Sequence, residues 1–473
     1  MRKTAFFVFW LTGLSVAAQT AAIDSLREAV RLAQDPRQKV DLLNDLVMDL
    51  YDWDWQAGFS SATEAYERAV QIDYPAGQKR ALTLLGVGFF LRAEVDSAVT
   101  YFNRSNNLPE ELHPAIHAYN WIMWAASHRI RSQFITSDSL LRLAIRSLEK
   151  QNNQYYLAIA YRNLGKLKKE MFQLNEADLF YQRALSIWIL LHNEDGKRAV
   201  LWDLAELEIS RAKFNTARQY LQRACTSAQI EKQFYQCLYL QAQIDMESGK
   251  FKQALELLTR ALQTEEGSGQ SLGNAFIRFA IGEVYSMLDQ YELALRNYFT
   301  ALRLFEEIGS AADQGRVLSE IAWVYKAQFN FGLAKEYLNR SLELRQRVND
   351  QQGISNCYNI FGLIALQEKD YNAAIKLLNR SYQIRESIGY RKGMLDVLYN
   401  LALVHIQLRE YQQATDYLNQ SIALATTLEM PYDIAYGYNA LANIQTQTGD
   451  FAEAERNLDR ARGMILASGS KTL

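Results

Sequence analysis

Five histidines and three cysteines bound the chemistry that this 473-residue chain could carry. His113 and His117 have the i, i+4 spacing of a helical metal pair, with His128 further along the chain. Pro114 opposes that use, because proline favours the first position of a helix, which leaves His113 as a cap and not as a ligand beside His117. Acidic or cysteine partners at ligand spacing are absent, so no metal and no cofactor is expected. His192 and His405 are isolated, and no P-loop or G-x-G-x-x-G string occurs. Without a nucleophile, a base and a group to orient them, the chain is expected not to be an enzyme. Cys225, Cys237 and Cys357 are too few for a disulfide framework. A Cys225–Cys237 bridge would join the end of one helix to the start of the next, but buried free thiols are the favoured expectation, since cysteine often serves as a small core residue.

Composition points to an ordered chain, with 49% apolar and 22% charged residues. The 51 basic and 53 acidic residues nearly cancel, and no long single-sign run forms a phosphate-binding stripe, so nucleic acid is not an expected partner. Five prolines and no Pro/Gly/Ser-rich linker suit an elongated repeat protein better than two compact domains. The start differs from the rest. Arg2 and Lys3 precede an apolar stretch from Ala5 to Val16, followed by Ala17 and Ala18, which reads as a secretory signal peptide over residues 1–20 with cleavage near Ala18. That stretch is short of the roughly 20 residues needed to span a bilayer. The expected mature chain is exported, periplasmic or secreted, and has no membrane span.

What must position any site is a repeat. A small residue recurs at Ala62, Ala98, Ser137, Ala177, Ala217, Ala254, Ala294, Ala334, Ala374, Ala414 and Ala454, the last six at intervals of 40. Seven residues later comes a second one: Ala69, Ser105, Ala144, Ala184, Ala224, Ala261, Ala301, Ser341, Ser381, Ser421 and Ala461. Between them, at offset 4, every copy has a large apolar side chain, such as Phe102, Tyr181, Tyr298, Leu338 or Leu458. Offsets 0, 4 and 7 share one helical face, and small-large-small along it lets a neighbouring helix approach closely. Twelve residues before the first marker lies another small residue, as at Gly86, Gly165, Gly282, Ala322, Gly362 and Ala402, which implies a tight crossing inside an antiparallel helix pair. Turns such as 248–250 and 448–450 offer glycine for the left-handed helix cap.

This pattern resembles the tetratricopeptide repeat (TPR) family, in its longer branch near 40 residues per unit. The resemblance implies an all-α, right-handed superhelical solenoid of about eleven TPR-type helix-turn-helix repeats over residues 38–467, behind an N-terminal capping helix at 21–37 and before a tail at 468–473. The first unit departs most, with Leu50 where a small residue is expected. In the family the concave surface is lined by the first helix of each pair. By register that surface carries Trp202, Tyr239, Phe276, Phe279 and Trp323 as apolar anchors. Asn356, Asn359, Tyr399, Asn400, Tyr436, Asn439 and Asn443 follow, with amides able to donate to and accept from an extended backbone. Arg345 is expected to face outward.

The resulting expectation is a non-catalytic scaffold that binds a peptide or protein in its groove. Two alternatives stand beside it. One is a truncated periplasmic sensing region, since a signal peptide followed by long repeats resembles the extracytoplasmic part of bacterial membrane-bound sensor histidine kinases. The other is a structural subunit of an envelope assembly. Met464, Ile465 and Leu466 on the last helix lack a covering helix, so self-association or a missing domain is expected at that end.

Overall fold

A computed structural model describes residues 16–92, 94–109, 113–225, 231–266 and 271–467. Among these residues there are 23 helices and no strand. Residues 1–15, within the stretch expected to be a signal peptide, and the tail at 468–473 lie outside the described residues. The chain divides into two compact units, one of residues 1–169 and 174–268, the other of residues 269–473 with the short turn 170–173.

Unit 1 contains α1 (Val16–Leu32), α2 (Pro36–Trp53), α3 (Trp55–Gln71), α4 (Pro75–Leu91), α5 (Val95–Asn106), α6 (Pro114–Ile130) and α7 (Phe134–Lys150). It continues with α8 (Gln154–Glu170), α9 (Leu174–Leu190), α10 (Glu194–Ser210), α11 (Phe214–Cys225), α12 (Glu231–Glu247) and α13 (Phe251–Glu266). Unit 2 contains α14 (Ser271–Met287), α15 (Tyr291–Ile308), α16 (Ala311–Ala327), α17 (Phe331–Arg347), α18 (Gln351–Gln367) and α19 (Tyr371–Ser387). Its last helices are α20 (Arg391–Gln407), α21 (Tyr411–Thr427), α22 (Pro431–Thr448) and α23 (Phe451–Ala467). From α2 onward they form eleven pairs, the count that the repeat marker predicts. In unit 2 the two helices of each pair pack most extensively, as do pairs such as α2 with α3 and α6 with α7 in unit 1, and second helices such as α3, α15 and α21 pack on the first helix of the next pair.

The small-large-small face is the packed face. All 22 marker positions are buried, from Ala62 at one end to Ala454 and Ala461 at the other. The large residue at offset 4 lies over the mid-helix small residue of its partner helix. A Cβ added to Gly86 would come within 2.5 Å of the Phe102 ring, one on Gly165 within 2.6 Å of Tyr181, and one on Gly282 within 2.6 Å of Tyr298. Gly86, Gly165 and Gly282 thus stand opposite aromatic rings, while leucine is met by alanine, as in Ala322 with Leu338, or by glycine, as in Gly362 with Leu378. The last pair departs from this pattern, since Leu458 is half-exposed with no later helix beside it among the described residues. At the other end α1 covers the first pair, with Ile23 in one core cluster with Leu46 and Leu50, and Val30 packed against the cluster of Leu43, Ala65 and Ala81.

The turns keep a left-handed residue whether or not it is glycine. Gly249 and Gly449 have φ of 74° and 84°, but Phe329, Lys369 and Arg409 adopt 60°, 66° and 61° at equivalent places. The reason is the hydrogen bond that closes each turn, such as Asp370 N–H to Ala365 O at 2.9 Å, which requires that conformation. The cost of about 1 kcal/mol for a side chain there is offset by packing of both flanking helices.

Two expectations are corrected here. Cys225 and Cys237 are joined in a disulfide between α11 and α12, while Cys357 is a buried free thiol. α11 is only 12 residues long, and its last residue, Cys225, lies beside Cys237, the seventh residue of α12, with their Cα atoms 6.3 Å apart. Arg345 does not face outward. It is buried, pairs with Asp350 at 3.3 Å and donates to the hydroxyls of Ser341 (3.1 Å) and Ser319 (3.3 Å). Gly353 makes the room, since any Cβ there would collide with the guanidinium. Arg385 repeats the arrangement at the next junction, donating to Ser355 Oγ (3.2 Å) and to the carbonyl of Gly393.

Candidate peptide-binding surface

On each first helix the mid-helix small residue faces the partner helix. At 100° per residue, the positions three before and one after it fall together on one flank. The side chains on that flank are described for each unit separately.

In unit 1 the flank of α8 and α10 is ionic. Arg162 Nε lies 2.5 Å from Asp203 Oδ2, Lys166 Nζ 3.7 Å from Asp203 Oδ1, and Lys169 Nζ 2.5 Å from Glu206 Oε2. Burial, with Arg162 adding to it, lowers Lys166 to about 7. Against the upward push of burial, Arg162 and Lys166 hold Asp203 below its ordinary value. Trp202 is buried in the cluster of Ala205, Ala217, Leu221, Leu240 and Ile244, and its Nε1 donates to Glu206 at 3.2 Å. It therefore serves as a junction residue, not as the exposed anchor expected of it. Tyr239 stays half-buried, two residues from the bridged Cys237.

In unit 2 the flank opens progressively. Phe279 is buried against Tyr298, with the Arg316 guanidinium 4.0 Å from its ring centre, so it too is corrected from anchor to core. Phe276 is half-buried, edge-on to Phe305. Trp323 is 39% exposed, with Lys326 Nζ 3.6 Å from its ring centre. Asn356 already accepts from Arg385 Nη2 at 2.8 Å, which removes part of its capacity. Asn400 Nδ2 donates to Asn359 Oδ1 at 3.0 Å, linking the flanks of α20 and α18. Tyr399 is half-buried beside Tyr436, which is 63% exposed. Asn439 and Asn443 are exposed, and Asn443 accepts from Gln447 at 2.8 Å. Structure thus brings Trp323, Asn359, Tyr399, Asn400, Tyr436, Asn439 and Asn443 onto accessible flanks of α16 to α22.

The residues with catalytic potential take structural places. His113 precedes the first residue of α6, Pro114, and His117 is buried edge-on to Trp121. Residues 269–273 spell Gly-Gln-Ser-Leu-Gly, the letters of a nucleophile elbow. That pattern works on a strand-to-helix turn, whereas here Ser271 opens α14 and the element before it is the helix α13. Among the described residues no group of three or more His, Cys, Asp and Glu is placed to hold a metal ion.

A family model described as tetratricopeptide repeat matches residues 235–307, 313–387 and 393–466. Those residues carry tetratricopeptide repeats. A second family model, anaphase-promoting complex subunit 5, matches residues 5–51 only. No curated protein matches the sequence. Solved structures similar to the chain include the apo form of RapI, 17% identical with a TM-score of 0.45, covering 58% of this chain and 98% of that one. A Rap protein complexed with competence and sporulation factor is 15% identical with a TM-score of 0.49, covering 87% and 99%. A signal transduction ATPase with a tetratricopeptide repeat sensor from Pyrococcus horikoshii is 16% identical with a TM-score of 0.46, covering 93% and 64%. None of these likenesses is close enough to transfer a site.

Within the tetratricopeptide register, sequence reasoning passed over Leu363 and Leu403. They occupy the position of Trp323 on α18 and α20, one residue after Gly362 and Ala402, and both are partly exposed. Glu283 holds the same position on α14, with Arg316 Nη2 3.5 Å from its carboxylate. The signal was available, since position relative to the small residue locates all of them, but selecting by aromatic or amide type hid it. No helix among the described residues is long and apolar enough to cross a membrane.

Proposed function

We propose that this chain is a non-catalytic scaffold whose first-helix flank in unit 2 binds a peptide or protein partner. The observation that carries this reading is the exposure of Trp323 and Tyr436, 39% and 63%, on the flank that also bears the Asn359–Asn400 amide pair. Large aromatics left exposed on the first-helix flank of a repeat array are a usual mark of a contact surface. The test is affinity capture with the mature chain and with a Trp323→Ala/Tyr436→Ala variant of unchanged melting temperature. A partner retained equally by both would move the site elsewhere.

A second reading concerns compartment. The Cys225–Cys237 bridge favours an oxidising environment, which supports export after removal of the N-terminal stretch. N-terminal sequencing of the exported protein should find a start near Gln19, and an intact Met1 on a cytoplasmic protein would end this reading. Exposed Phe451, Leu458, Met464 and Leu466 on α23 further support a contact of that end with more polypeptide. The sensing part of a sensor kinase and a subunit of an envelope assembly would each have these properties.

A further inference from the structure

We infer that the unit 2 flank takes an extended peptide in a three-residue repeat, with apolar side chains at every third position and a basic side chain at the end lying over Glu283 and Glu320. This rests on the peptide-binding reading above and specifies its ligand.

The spacing argument starts from Trp323, Leu363 and Leu403. Each stands one residue past the small residue of its first helix, on α16, α18 and α20, and these helices touch one another in succession. Packed helices lie about 8–10 Å apart, so the three side chains recur at roughly that step. A polyproline-II backbone rises about 3.1 Å per residue and returns to the same face every third residue, a repeat of about 9 Å. A β-strand rises about as much per residue but alternates faces, so its third residue would point away. Of the two extended backbones, the threefold one therefore presents an apolar group to each of the three helices at every third residue. Such a backbone has no internal hydrogen bonds, and its exposed amides need partners. Asn359 and Asn400 bond each other through one donor and one acceptor, and each amide retains further capacity beside the apolar row.

Charge sets the direction. At the α14–α16 end, Glu283 and Glu320 share Arg316, which lies 3.5 Å from Glu283, while Arg345, which also acts on Glu320, is already paired with Asp350 at 3.3 Å. Lys326 is placed on the Trp323 ring. At the other end, Asp396 and Asp433 are matched by Arg385, 3.8 Å from Asp396, and by Lys392, which acts on both. The carboxylate excess is thus at the α14–α16 end, where a peptide lysine or arginine would complete the balance.

The test uses the full mature chain and three labelled peptides of equal length, read by fluorescence anisotropy. One has Leu at positions i, i+3 and i+6 with Pro and Ala between and a terminal Arg. The second has the same composition with Leu at every second position, and the third replaces Arg by Glu. The first should bind about tenfold tighter than either of the others, the effect of misplacing about one anchor. Trp323→Ala should remove the spacing preference, and Glu283→Gln/Glu320→Gln should remove the Arg preference while leaving the spacing preference intact. Equal affinity for the first two peptides, or for Arg and Glu, overturns the inference. If no peptide binds but a captured protein is still lost in Trp323→Ala/Tyr436→Ala, the inference falls and the broader reading stands. If binding is indifferent to Trp323→Ala in every assay, both fall.

Discussion

Arg345 shows how a single residue can reverse an expectation. A long charged side chain near the end of a helix ordinarily faces water, yet here its guanidinium passes beneath the start of the next first helix, where Gly353 leaves space. The same eight-residue spacing joins Arg385 to Gly393, so the arrangement is visible in the sequence once known. Arg345→Ala would leave buried Asp350 without its ion pair and should cost about 3 kcal/mol in urea unfolding. Glu320 offers a pH test. Burial, reinforced by Glu283, raises it from 4.5 to about 7 in the folded protein. Between those values the folded state holds a proton that the unfolded state has released, so stability should fall as pH rises from about 4.5 to 7 and level off above. Glu320→Gln should flatten that part of the melting curve against pH; an unchanged slope would show that Glu320 does not titrate there.

At the scale of elements, helix pairing rests on a matched choice of two residues 16 apart. Tyr298 is fully buried over Gly282, so Gly282→Ala places a methyl group 2.6 Å from its ring and should overpack the crossing by about 1–3 kcal/mol. Adding Tyr298→Leu restores the alanine–leucine combination that other pairs use, such as Ala322 with Leu338, and should recover much of the loss. A double-mutant cycle by thermal melting measures this, and strictly additive effects would contradict the crossing geometry. The elements also explain the buried anchors. Trp202 and Phe279 lie three residues before the small residue, on the inner edge of the flank, where aromatic side chains fold into the junction between repeats.

For the whole molecule, stability in a repeat array is roughly a sum of local terms, so damage should stay local. The Cys225–Cys237 bridge lies wholly in unit 1 and closes a loop with a sequence separation of 12. Its reduction should destabilise the helices around α11 and α12 by about 2–3 kcal/mol. Amide exchange should accelerate there while α18 to α22 of unit 2 keep their protection. Uniform loss of protection in both units would show cooperativity longer in range than neighbouring repeats.

Fold class, repeat number and the packed face were legible in the residues alone, because a helix pair can bury its surface only by repeating small and large side chains at fixed offsets, and that demand falls on every copy. The flank itself was also legible as a set of positions. Which flank residues remain accessible was not. Trp202 and Trp323 both sit beside a mid-helix alanine, yet one is buried and the other exposed. Trp202 stands three residues before Ala205, where Leu221 of α11 and Leu240 of α12 close over it, whereas Trp323 stands one residue after Ala322 and carries Lys326 of its own helix on its ring. The Cys225–Cys237 bridge was likewise decided by a short distance between two segments whose approach no periodicity along the chain expresses.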